Sequence, residues 1–287
     1  MGDGQLPRES SSGIYWLGEP PSTDPALVGE EFACLSRLAD LRCVQPGFCL
    51  TAPPYHVDED GMLRPGAAEL ARAYTRLAAT AGEADLPVVV RSELAGAAPA
   101  ASCSAGAPWT FFNVAGTEAL IAAMIECLAP YASARARAYR SVDQGSASDI
   151  RVAVHVQRFV RCDVCVRVRT GRPDGPGTVR VQARWGACEE SARTRGRDVM
   201  LLRRSDLAIT RTEIGRKDRM WVPEAGGVTE VDVPAAHRTA ACLSEPRAQE
   251  AARLSLDIES ALGAPVEAEV WLAGGRLVLA WCRRTRR

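Results

Sequence analysis

Two kinds of hydrophobic periodicity divide this chain into unlike halves, and this division constrains the fold more than any other feature. Apolar residues recur at spacings of three and four, as in helices, over residues 31–39, 67–80, 117–128 and 245–262. Period-two alternation, as in strands, covers residues 88–91, 151–159, 164–169, 178–184, 207–212, 266–272 and 276–282. Most helical segments precede residue 145 and most strands follow it. The sequence therefore predicts an α+β fold with a helix-rich N-terminal lobe and a strand-rich C-terminal lobe.

Local composition suggests where these lobes begin and end. Residues 1–13 are polar and rich in Gly and Ser, which predicts a flexible arm. The small-residue stretch GSAS at 145–148 predicts a junction between an N-terminal lobe at 14–145 and a C-terminal lobe at 146–287. Gly274 and Gly275 predict a hairpin turn between the last two strands. A cleft between two lobes is a usual place for a ligand.

Charge limits the classes of partner, and cysteine content bears on the compartment. The 35 basic and 35 acidic residues cancel, so no overall field attracts nucleic acid or an anionic membrane. The arginine-rich runs at 135–140 and 283–287 are typical of a solvated helix face and a frayed tail. The N-terminal segment has no apolar stretch of the secretory type, which favours the cytoplasm and buried, reduced cysteines. Cys162 and Cys165 lack a second pair at zinc-ligand spacing.

The segment LVGEEF places Gly29 and two acids, Glu30 and Glu31, just before a helical pattern. The start of a helix offers free N–H groups and a positive dipole end, where a phosphate binds well. Two carboxylates at that point would repel a phosphate. The segment therefore raises the question of whether this protein handles nucleotide phosphates.

Several stretches, taken in order, supply a resemblance that covers nearly the whole chain. They are VGEEFACLSRL with VQPGFCLTAPPY, the VVVRSELAG segment through FFNVAG, VAVHVQRFV, and GAPVEAEVWLAGGRLVLAWCRR. Together they resemble the nucleotide-binding domain shared by phosphoenolpyruvate synthase, pyruvate phosphate dikinase and the rifampin phosphotransferases. That resemblance implies a two-lobed ATP-grasp fold with ATP and Mg²⁺ as ligands.

The resemblance implies a role for six residues of this chain. Arg91 corresponds to an arginine that grips the phosphates, and Gly106 and Thr110 to a loop that covers them. Gln157 corresponds to a glutamine of the adenine pocket. Glu269 corresponds to a carboxylate that holds magnesium, and Arg283 to an arginine beside the triphosphate. Arg91 and Arg283 are the candidates for stabilising transferred phosphate.

Other positions depart from the family pattern. Glu31 stands in place of a phosphate-binding lysine, so a cation has become an anion. Trp281 stands in place of a metal-supporting glutamine, and Arg284 in place of a proline. In the family, the phosphate passes to a histidine on a separate swivelling domain, and none of the three histidines here lies in the matching motif.

Several of these residues keep a structural interpretation beside the functional one. Glu269 is equally compatible with a solvated strand residue, and Gln157 with a half-exposed strand face. Glu31 is compatible with a surface ion pair to Arg37 or Arg42, or with binding of a cationic group. Trp281 is more typical of a packed aromatic residue than of a base-stacking surface. Lys217 is a candidate to offset the charge lost at position 31.

Three functions therefore compete. The first is the ATP-binding unit of a phosphotransferase whose phosphohistidine or acceptor domain is a separate protein. The second is a catalytically inactive pseudoenzyme that serves as a binding or regulatory module. The third is an ATP-grasp scaffold redeployed to other biosynthetic chemistry with a small-molecule acceptor.

Overall fold

The computed structural model describes residues 13–51, 55–57, 63–95, 110–132, 151–171, 175, 177–187 and 196–285. The predicted arm lies outside these ranges except for Gly13, and so does Gly106. The described helices and antiparallel sheets confirm the α+β prediction. None of the helices in these ranges combines the length and hydrophobicity needed to cross a membrane.

The first lobe is built on a five-stranded sheet with the order β1-β2-β7-β5-β6. Its strands are β1 (Ile14–Trp16), β2 (Gly47–Leu50), β5 (Val88–Ala95), β6 (Thr110–Val114) and β7 (Arg151–Arg158). The short strands β3 (Tyr55–Val57) and β4 (Leu63–Pro65) form a separate pair. Helices α3 (Ala67–Ala81) and α4 (Thr117–Ala132) cover one face of the five-stranded sheet. The apolar residues of α3 recur at helical spacing, so one side of the helix packs into this core.

The strand pairing differs from the predicted lobe boundary. Strand β7 follows residue 145 in the chain, yet it lies between β2 and β5 in the first sheet. Both of its faces are buried, because Val154 and Val156 enter the helix-covered core while Ala153 and His155 face the opposite side. The chain therefore passes to the second sheet only after Arg158.

The second lobe is built on a six-stranded sheet with the order β11-β10-β9-β8-β14-β15. Its strands are β8 (Val164–Arg169), β9 (Thr178–Trp185), β10 (Asp198–Arg203), β11 (Ile209–Glu213), β14 (Val266–Ala273) and β15 (Arg276–Arg284). Helix α5 (Glu245–Leu262) packs on one face and closes the larger core. A hairpin of β12 (Arg219–Glu224) and β13 (Gly227–Asp232) contacts the first lobe, where the Asn113 amide donates to the Glu224 and Gly227 carbonyls.

Helix α2 (Glu30–Arg37), which follows the short helix α1 (Pro25–Val28), joins the two lobes. Phe32 packs with residues of the first lobe, whereas Leu35 packs into the core beneath the second sheet. The chain after α2 continues the connection, since the N–H of Leu279 donates to the carbonyl of Cys43 at 2.8 Å. The start of α2 is thereby held between the first sheet and the end of β15.

Candidate functional site

The start of helix α2 is already occupied by a carboxyl group of the protein. The backbone N–H of Glu31 donates to both side-chain oxygens of Glu93, each at 3.1 Å. Gly29 precedes the helix with φ of 85°, and a Cβ at this position would lie 2.3 Å from Glu93 Oε2. The glycine is thus required for the close approach of β5. An internal group caps the helix where a phosphate would otherwise bind.

The environment of Glu93 favours its neutral form. Burial, and next the charge of Glu31, raise the pKa of Glu93 well above its usual range, although the N–H groups at the helix start act in the opposite direction. The ring Nε2 of His155 lies 3.5 Å from Glu93 Oε2 and 3.0 Å from the Val28 carbonyl oxygen. Burial lowers the pKa of His155 to about 3, so its imidazole is neutral and donates to Val28.

We expect Glu93→Gln to reduce the loss of stability on going from about pH 5 to about pH 8. The pKa of Glu93 is raised on folding, so the folded protein holds this proton more tightly than the unfolded chain does. Stability is therefore lost as the pH rises from the unfolded value near 4.5 towards the folded pKa, by at most about 1.4 kcal/mol per pH unit. Glutamine keeps the acceptor oxygen but does not titrate. Urea unfolding at several pH values measures the difference, and parallel profiles for the two proteins would contradict it.

Arg91 lies on β5 directly opposite Thr110 of β6. Its guanidinium Nε donates to Thr110 Oγ1 at 3.3 Å, and its Nη1 lies 3.7 Å from Glu31 Oε2. Only 8% of Arg91 is exposed, so this ion pair is well shielded from solvent. Glu31 therefore pairs with the arginine predicted to grip phosphate, while Arg37 donates to the Thr23 carbonyl.

Gln157 and Arg91 share a hollow between the two lobes. The Gln157 side-chain amide donates to the Gln45 carbonyl at 3.0 Å. The hollow is small, with a cavity volume of about 10 Å³; its lining residues are Gln45, Val89, Arg91, Gln157, Arg158, Trp271, Val278, Leu279 and Ala280. Residues of β5 and β7 form one wall, and residues of β14 and β15 form the other. The Gln157 side of β7 is therefore a wall of the cleft.

Glu269 is buried on the opposing sheet and fully bonded. Its Oε1 accepts from Trp271 Nε1 at 2.9 Å, and its Oε2 accepts from Arg167 Nη2 at 3.3 Å. Only 2% of Glu269 is exposed, so it is not a solvated strand residue. The residue predicted to support a metal thus has a guanidinium partner.

Arg283 lies two residues after Trp281 on β15 and belongs to a second group of charged side chains. It donates to Glu267 Oε2 at 2.8 Å, while Arg169 donates to Glu267 Oε1 at 2.7 Å. Burial opposes ionisation of Glu267, but these arginines more than offset it and lower the pKa of the carboxyl. Arg283 belongs to β15, so the predicted frayed tail does not begin there.

Two of the departures from the family pattern have structural explanations. Trp281 is 3% exposed, and the guanidinium groups of Arg167 and Arg283 lie 5.3 Å and 5.6 Å from the centroid of its ring. This burial favours the packed aromatic interpretation. Arg284 pairs with Glu30 through distances of 2.6 Å and 3.0 Å, which ties the end of β15 to helix α2.

Lys217 does not compensate for the charge at position 31. Its Nζ lies 2.5 Å from Asp198 Oδ1 and donates to the Gly215 carbonyl at 2.8 Å. Both ionic side chains are 1% exposed, so breaking this pair would leave a buried charge. The hypothesis for Lys217 is therefore wrong, and the residue stabilises the second lobe.

The described ranges were also compared with the expectations for a metal site and for the cysteines. No three His, Cys, Asp or Glu side chains in these ranges come together as a metal site. Cys162 is a buried free thiol, whereas Cys165 is disulfide-bonded, contrary to the expectation of reduced cysteines.

The sequence reading did not identify Glu93, Arg167 or Arg169 as site residues. The signal in the sequence was period-two spacing, which places Arg167 and Arg169 on one face of a strand, and likewise Glu267 and Glu269.

Comparison with known proteins identifies the domain. The family described as pyruvate phosphate dikinase, AMP/ATP-binding domain, matches residues 64–287. A probable phosphoenolpyruvate synthase of Methanocaldococcus jannaschii is 26% identical over 215 residues, which cover 74% of this chain and 18% of the relative. The phosphoenolpyruvate synthase of Deinococcus radiodurans is 29% identical over 221 residues, covering 70% and 27%.

The chain thus spans less than a third of the length of these relatives, and the similarity concerns one domain of them. The family match covers most of the chain, including the whole second sheet and strands β5, β6 and β7 of the first. This chain belongs to the family of the pyruvate phosphate dikinase AMP/ATP-binding domain.

Proposed function

We propose that this protein binds ATP in the cleft between its two sheets and supplies phosphate to a separate phosphohistidine-domain or acceptor-domain protein. The observation that carries the proposal is the hollow shared by Arg91 and Gln157 of the first sheet and by Trp271 of the second. A cleft between two lobes is a usual place for a ligand, and the walls of this hollow, whose volume is about 10 Å³, must move apart to admit a nucleotide. The cytoplasm, where ATP is supplied, is the proposed compartment.

The described residues support distinct roles in this cleft. Arg91 and Thr110 are hydrogen-bonded to each other and present a guanidinium fork and a hydroxyl, which suit phosphate oxygens. Gln157 offers a side-chain amide at the wall proposed for adenine. Arg283 is 41% exposed while it pairs with Glu267, so its guanidinium reaches the solvent side of the second sheet. Gly106 remains a candidate for the covering loop.

Magnesium does not fit at Glu269 as the side chains stand. Both oxygens of this carboxyl are bonded, one to an indole N–H and the other to Arg167. Trp281, at the place of a metal-supporting glutamine, has no oxygen to offer. Charge stabilisation of the phosphates is therefore assigned to the arginines.

The state of His155 argues against this residue as the carrier of the phosphoryl group. This histidine is buried, neutral and hydrogen-bonded to the Val28 carbonyl, so its ring is poorly suited to carry a phosphoryl group. A carrier must be accessible to two sites in turn. The proposal therefore does not use His155 as the carrier and assigns that role to the partner protein.

A pseudoenzyme is the second candidate, and a specific pair of contacts favours it. Glu31 lies against Arg91, and Glu93 caps helix α2, so two places for phosphate already hold carboxyl groups. A ligand must displace these groups or bind beside them. In this case the protein would act as a binding or regulatory module.

Turnover measurements separate these functions. ATP consumption is measured for the protein alone and with an added phosphohistidine-domain protein of the phosphoenolpyruvate synthase type. Turnover only with the added protein supports the proposed function. Turnover without it supports a redeployed enzyme with its own acceptor, and ATP binding that is too weak to detect supports the pseudoenzyme.

A further inference from the structure

Two rows of side chains, all of them charged except Trp281, cross three neighbouring strands of the second sheet. In the first row, Arg167 of β8, Glu269 of β14 and Trp281 of β15 are register partners. The second row contains the register partners Arg169, Glu267 and Arg283. Facing positions on adjacent strands bring side chains into contact. The sheet register therefore fixes which cation meets each carboxylate.

The guanidinium of Arg167 lies close to both carboxylates, where a metal cation would otherwise bind. Its Nη2 lies 3.3 Å from Glu269 Oε2, and its Nη1 lies 4.0 Å from Glu267 Oε1. Its guanidinium also faces the Trp281 ring at 5.3 Å. The arginine thus lies at the junction of both rows, where carboxylate charge is concentrated.

A divalent cation has no comparable place at these carboxylates. Mg²⁺ requires about six oxygen ligands in octahedral geometry at about 2.1 Å. Glu269 already bonds Trp271 and Arg167, while Glu267 bonds Arg169 and Arg283. A dication at Glu269 Oε2 would face the Arg167 guanidinium within a few ångströms and be repelled.

Resting on the proposed function, we propose that the protein binds ATP without a divalent cation at Glu269, because the guanidinium of Arg167 takes the place of the metal. The side chains of Arg167, Arg169 and Arg283 are 25%, 40% and 41% exposed, so their charged ends reach the solvent side of this face. Guanidinium groups bind phosphate oxygens directly, without a bridging ion. Arg167 acts here as a positioning residue that keeps Glu269 from binding a metal.

Calorimetric titration of the full chain with ATP, in magnesium or in EDTA at equal ionic strength, tests the inference. We expect the two dissociation constants to agree within about 3-fold, since less than about 0.7 kcal/mol then depends on the metal. Binding that weakens more than about 10-fold in EDTA would overturn the inference while leaving the proposed function intact. Absence of binding under both conditions would overturn the proposed function instead.

Titration with Mn²⁺ alone, followed by the electron paramagnetic resonance of the free ion, gives a second readout that does not require nucleotide. The Arg167→Gln protein is expected to bind Mn²⁺ more tightly than wild type, because glutamine removes the positive charge beside Glu269 and adds an amide oxygen. Arg203→Gln is the matched control, since Arg203 is exposed and pairs with Asp206 outside these rows. Thermal unfolding verifies that both variants fold. Stoichiometric Mn²⁺ binding by wild type that is lost in Glu269→Gln would overturn the inference.

Discussion

Replacing Glu31 with lysine is expected to strengthen ATP binding by about 10- to 100-fold. Glu31 Oε2 lies 3.7 Å from Arg91 Nη1 in a shielded location, so its charge offsets that of Arg91. The substitution removes a repulsive carboxylate and adds an ammonium at the start of helix α2. A charge-assisted hydrogen bond contributes about 1.5–3 kcal/mol, which sets the expected gain.

Calorimetric titration of wild type, Glu31→Lys and Glu31→Gln measures this effect in steps. Glutamine removes the negative charge alone, so an intermediate affinity is expected. In the absence of ligand, lysine faces Arg91 and lowers the unfolding temperature, and ATP should then raise that temperature more than in wild type. Equal or weaker ATP binding by a folded Glu31→Lys protein would contradict the assignment of this position.

Replacing Arg91 with alanine is expected to weaken ATP binding by about 100- to 1000-fold. The change removes the guanidinium fork and leaves Glu31 without the Arg91 partner, so a favourable contact becomes a repulsive one. Displacement of a fluorescent ATP analogue measures the loss. Arg72→Ala is the matched control, because Arg72 is an exposed residue of α3 that pairs with Glu69.

The Arg91→Lys variant separates the effect of side-chain geometry from that of charge. It also provides a second measurement if Arg91→Ala does not fold. Lysine keeps the charge beside Glu31 but cannot make two parallel hydrogen bonds to a phosphate. An affinity between those of wild type and Arg91→Ala is expected. Unchanged ATP binding in both variants, with normal thermal unfolding, would show that phosphate does not contact this residue.

Periodicity predicted the longer helices and seven of the described strands, but not β6, β10, β12 or β13. The helix over 245–262 and the strand over 164–169 have the predicted bounds, and the hairpin at Gly274 and Gly275 joins β14 to β15 as predicted. Strand β2 was missed because all four of its residues are buried, which removes the alternation that marks a strand. The edge strand β1 has only three residues and gives too short a pattern.

Contacts within the candidate site depend on tertiary structure that periodicity does not encode. Arg91 and Thr110 were both expected at the phosphates, and the register of β5 and β6 explains why they are adjacent. The pairing of Glu31 with Arg91, in contrast, results from docking the start of α2 against β5. The sequence suggested a surface ion pair with Arg37 or Arg42, or binding of a cationic group, whereas the structure places Arg91 of the first sheet beside Glu31.

These contacts also define what ligand binding must change. Arg91 has to exchange at least part of its interaction with Glu31 for one with phosphate, so the internal carboxylate competes with ATP. Glu93 keeps the start of α2 capped throughout unless the helix moves. The affinity for ATP is therefore expected to be lower than that of a cleft with a lysine at position 31.

A crystal structure of the protein with saturating ATP tests the central claim most directly. We predict electron density for the triphosphate between the two sheets, with phosphate oxygens about 3 Å from the Arg91 guanidinium and the adenine beside Gln157. An ATP molecule seated elsewhere on the protein, or a cleft that stays empty at saturating ATP, would contradict the account.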